Sequence, residues 1–93
     1  MQILGYELRK VTGDMRTEIL DGAERNARGG LITAQLELRH HQLLLEEAPA
    51  LGRTDAEIKG YEDAVERDKK SINNWETQLR AIQYERENHQ ASQ

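Results

Sequence analysis

Glu37 and His40 stand three residues apart in the stretch ELRHH, residues 37–41. On a helix that spacing puts a carboxylate and an imidazole on one face. Glu-x-x-His motifs on facing helices build the carboxylate-bridged di-metal sites of helical bundles. With one copy per chain, two chains would have to meet across a dimer axis, with Glu62 or Glu66 adding carboxylates. No second Glu-x-x-His follows, so the expected reading is a solvated helix face with no metal and no cofactor.

Other chemical groups are sparser still. His41 falls on an apolar stripe, where a hydrogen bond to a neighbour such as Tyr61 is expected before catalysis. The adjacent pair His40-His41 could sense pH, on the strength of two imidazoles alone. Asp68 interrupts a second stripe; a polar group there costs stability but can fix register. The chain has no Cys, which removes thiol catalysis and disulfides. Gly29-Gly30 lacks the strand and the Lys of a phosphate-cradling loop. Ser71 and Ser92 have no base at helical spacing, and Glu46-Glu47 and Glu62-Asp63 read as solvent-facing charges. No enzymatic activity is expected.

These residues must be positioned by a small scaffold. Ninety-three residues make one domain at most. Charged residues at 32% against 4% aromatics, with no Phe and one Trp, favour long helices over a sandwich or barrel. A net charge of −4, with the 13 basic residues scattered, argues against generic nucleic-acid binding. No apolar run is long enough to span a membrane, and no secretory leader is read at the N-terminus. An intracellular or virion-associated location is expected.

Residues 1–13 read as an N-terminal arm, extended or strand-like in preference to a short helix, with Ile3, Leu4, Tyr6, Leu8 and Val11 as its apolar positions. Its first eight residues, MQILGYEL, resemble the starts of some tailed-phage virion proteins, which implies a virion as one setting. Asp14 caps a helix expected over 14–48. Gly22, Gly29 and Gly30 each weaken it by about 1 kcal/mol relative to Ala. Pro49, Gly52 and the capping box Thr54-Asp55-Ala56-Glu57 predict a turn over 49–54. A second helix follows over 55–89, with a polar tail at 90–93. Together, residues 14–89 predict an all-α antiparallel helical hairpin, coiled-coil-like.

In the second helix Ile58, Tyr61, Val65, Asp68, Ile72, Trp75, Leu79 and Ile82 recur at alternating steps of three and four, a heptad seam. Folding the chain at 49–54 sets Leu45 opposite Ile58, Leu38 opposite Val65 and Leu31 opposite Ile72. On alternate rungs His41 meets Tyr61, Ala34 meets Asp68, Ala27 meets Trp75 and Leu20 meets Ile82. Large residues fall opposite small ones, as close packing demands. The partners required by Trp75 and Ile82 predict that the first helix continues through Gly29-Gly30.

Met15, Ile19, Ile32, Leu36, Leu43 and Leu44 lie outside this seam, and an exposed strip of that kind marks an interface. The small residues Gly22, Ala23, Asn26, Gly29 and Gly30 suit either close approach of a helix or the arm, or a flexible break. In outline the chain is similar to small encapsulated ferritin-like proteins, hairpins whose metal sites form by association. The expected function is a non-enzymatic structural or assembly protein that self-associates or joins a larger complex. Two alternatives are an inhibitor or adaptor docking on a host protein, and an oligomeric sponge for anionic ligands such as cyclic nucleotides, held by Arg9, Arg16, Arg25 and Arg28.

Overall fold

A computed structural model describes the backbone at Gln2–Ile3, Tyr6–Glu7 and residues 13–91, and the side chains of residues 13–88. Gln2–Ile3 (β1) and Tyr6–Glu7 (β2) pair antiparallel, Gln2 with Glu7 and Ile3 with Tyr6. Leu4, Leu8 and Val11 lie outside the described residues. Two long helices follow, α1 over Gly13–Glu47 and α2 over Asp55–Ala91. They pack side by side as an all-α hairpin 61 × 21 × 16 Å in extent.

The reversal is fixed by backbone chemistry at both helix ends. Gly52 takes φ +66°, a left-handed conformation that costs glycine little. Around it the Arg53 N–H donates to the Ala48 carbonyl at 3.1 Å and the Gly52 N–H to the Pro49 carbonyl at 3.3 Å. This is the paired closure of a Schellman motif. Pro49 therefore sits within the last turn instead of ending it. It lacks one N–H, while the Leu51 N–H still reaches the Glu47 carbonyl at 3.1 Å. Two residues later Thr54 starts α2 with the expected capping box. The Glu57 N–H donates to Thr54 Oγ1 at 3.1 Å, and the Thr54 N–H donates to Glu57 Oε1 at 3.2 Å. Those Thr54 contacts, with Arg53 nearby, hold the Glu57 carboxyl below the ordinary glutamate range. Since the folded value is the lower one, the contribution is full above the ordinary value and fades as pH falls through the folded one.

At the other end α1 begins at Gly13, with φ +66°. Asp14 lies inside the first turn, one residue later than the capping role expected of it; there its charge favours the helix dipole.

Between the ends, burial on α1 recurs every seven residues at Leu20, Ala27 and Ala34, continues at Ala48 in the turn, and on α2 falls at Ala64, Val65, Asp68 and Ile82. Leu20, Ala27 and Ile82 form one cluster, with Ile19, Ala23, Trp75 and Leu79 against it. Leu31, Leu38, Leu45, Ile58, Tyr61 and Ile72 are half-buried. Helix α1 is continuous through Gly29 and Gly30. Trp75 packs into the Ala27 cluster, and its ring also covers Gly30, three residues further along α1. A Cβ built on Gly30 would overlap the ring, with Cδ2 at 2.6 Å, whereas one on Gly29 meets nothing within 4 Å. The cause is directional. Helical side chains lean toward their own N-terminus, so in an antiparallel pair a large side chain lands beyond the residue directly opposite its Cα.

Adjacent glycines thus have opposite expected responses. Gly29→Ala should raise unfolding stability by about 0.5–1 kcal/mol through helix propensity. Gly30→Ala should lower it by about 1–3 kcal/mol through overpacking. Denaturant melts of the two variants decide it, and equal effects would show that the indole does not cover Gly30.

Candidate functional site: the polar pair in the seam and the outer face of α1

Asp68 is 6% exposed. The residues one turn away on α2 are Ala64, Val65, Ser71 and Ile72, none charged. A carboxylate in such a setting needs a donor, and α1 supplies it from His41, whose Nδ1 lies 2.7 Å from Asp68 Oδ2. An ionised carboxylate offers only lone pairs, so Nδ1 carries the proton and donates. His41 is held in turn against His40, ring centroids 5.2 Å apart. The partner expected of His41 was Tyr61, and the residue expected opposite Asp68 was Ala34. His41 lies one heptad beyond Ala34, and the His41 and Asp68 side chains meet because each leans toward its own N-terminus, which in an antiparallel pair draws them together.

A second polar group enters the seam at the open end, where sequence reasoning placed none. Arg16 is 4% exposed, and its Nη2 donates to the Glu85 carbonyl at 2.8 Å and to Glu85 Oε2 at 3.3 Å. Its position four residues before Leu20 was the available signal. Nearby, Arg86 bridges Asp21 at 2.9 Å and Glu24 at 3.3 Å. The hydrogen bond from Arg28, with Arg86 beside it, keeps the Glu24 carboxyl below its usual range.

The remaining candidates are spread out. Arg16 is committed to Glu85, Arg28 pairs with Glu24 at 3.0 Å, Arg25 is exposed, and Arg9 lies outside the described residues. The arginines suspected of holding an anion therefore do not converge among the described residues. Glu37 and His40 are both exposed, and no group of three or more His, Cys, Asp or Glu able to hold a metal occurs among the described residues. No described helix is long and apolar enough to cross a membrane.

On the outer face of α1, Met15 is 61% exposed, Ile32 57%, Leu36 67% and Leu43 37%. These values separate that face from its neighbours: Leu44 is half-buried at the border, and Ile19 turns inward onto the Leu20 cluster. Beside the face runs an open groove of about 500 Å³, floored by Gly30, Ala34 and Trp75, with Arg25 and Glu37 at its two ends. Its shape follows from side-chain size. One edge of the hairpin carries Leu31, Leu38, Val65 and Ile72, whereas the groove edge carries Asn26, Gly30, Thr33 and Ser71.

Fold and surface together define an all-α antiparallel helical hairpin with a buried aspartate paired to a half-buried histidine, and an uncovered apolar helix face. The chain matches no known protein family, no curated protein and no solved structure.

Proposed function

We propose that this chain is a non-enzymatic assembly protein, a helical rod that docks through the outer face of α1. The observation that carries the reading is the exposure of Met15, Ile32, Leu36 and Leu43 on one helix. Single exposed apolar residues need no explanation, but a face of them along one helix points to an interface.

The test is the native size of the chain, both purified and in lysate of cells that express it. A complex larger than the 10.7 kDa monomer is expected in at least one setting. Leu36→Asp and Leu43→Asp should each return it to monomer while far-UV circular dichroism shows unchanged helicity. A monomer in both settings, or complexes indifferent to both substitutions, would sink the reading.

A further inference from the structure

We infer that the outer face of α1 pairs with the same face of a second copy of this chain, antiparallel, across a two-fold axis near Gly29. This rests on the reading of that face as an assembly surface and names its partner.

The pattern on the face is its own complement when reversed. Met15, Gly22, Gly29, Leu36 and Leu43 recur every seven residues. Turned end to end about Gly29, Leu36 lies over Gly22 of the second copy and Leu43 over its Met15, while the two Gly29 residues meet. Leu36 thereby meets a glycine and Leu43 a methionine, while Ile32 falls opposite Asn26. Inside the hairpin nothing occupies the space above Gly29. A second helix can therefore approach closely there.

Charge follows the same symmetry. Arg25 and Glu37 stand at opposite ends of the groove, twelve residues or about 18 Å apart along α1. Both are exposed, and neither makes an ion pair with another described residue. Antiparallel pairing brings Arg25 of each copy toward Glu37 of the other. The Arg25–Glu37 match is centred two residues beyond Gly29, an offset that a long arginine side chain leaning toward its own N-terminus can span. An isologous interface needs one patch that complements itself, and an unrelated partner would impose no such symmetry on this sequence.

Sedimentation of the full chain over a range of concentrations tests it. Wild type is expected to dimerise. Arg25→Glu and Glu37→Arg should each weaken the dimer by about tenfold at low salt, through two symmetric like-charge contacts, and the combined variant should restore it. Gly29→Ala should raise the melting temperature of the hairpin yet loosen the dimer, whereas general structural damage would lower both. A purified chain that stays monomeric overturns the self-pairing even where a larger complex persists in lysate. A combined reversal no tighter than the single ones overturns the register. A monomer in lysate as well overturns the assembly reading with it.

Discussion

Replacing His41 with leucine is expected to destabilise the hairpin by about 3 kcal/mol, and replacing His41 and Asp68 together is expected to recover that loss. Removing the hydrogen-bond donor leaves the buried Asp68 carboxylate without compensation; loss of one partner of a buried charged pair costs about 3–5 kcal/mol. The His41 side chain is 24% exposed, so water reaches the site and the lower end of that range applies. With both residues leucine, no carboxylate remains to be desolvated and the seam gains apolar contact. Such exchanges are neutral or stabilising by about 1–4 kcal/mol. Denaturant unfolding of the two single variants and the double variant gives the coupling directly. Equal stability of His41→Leu and the double variant would mean that Asp68 does not depend on His41. If the double variant is the most stable of all, the pair is retained for register and not for strength.

Most of the hairpin was legible in the sequence because its signals are local. Pro49, Gly52 and the Thr54–Glu57 box act within one helical turn, and the structure adds only that Pro49 belongs to the final turn. The heptad steps of α2 located its buried face, Asp68 included. Contacts that depend on where a side chain ends, and not where it starts, were harder to read. Opposing Cα positions put Trp75 over Ala27 and Asp68 over Ala34; the lean of helical side chains carries the ring on to Gly30 and brings the Asp68 carboxylate and the His41 imidazole together. Arg16 was missed for a related reason. A long cationic side chain is ordinarily assigned to solvent, yet here its guanidinium finds the Glu85 carbonyl at the hairpin's open end. The outer face was visible as surplus apolar residues. Separating Ile19 from Leu36, however, required the burial each position actually has.

Trp75→Ala should cost about 3 kcal/mol, the lower end for loss of a large aromatic, because the indole is half-buried. The more discriminating expectation concerns its neighbour. In the wild-type background an added methyl at Gly30 collides with the ring and destabilises. Once the ring is gone, the same methyl enters open space and supplies the helix propensity that glycine lacks. Gly30→Ala should then stabilise by up to about 1 kcal/mol, a reversal of sign between the two backgrounds. Gly29→Ala should keep its favourable sign in both, because nothing within the hairpin lies over it. The four melts form a double-mutant cycle whose interaction energy isolates the indole–backbone contact from helix propensity. A Gly30→Ala effect that is the same with and without Trp75 would place the ring elsewhere. It would also remove the floor of the groove, and with it the positions at which Arg25 and Glu37 are set to meet a second copy.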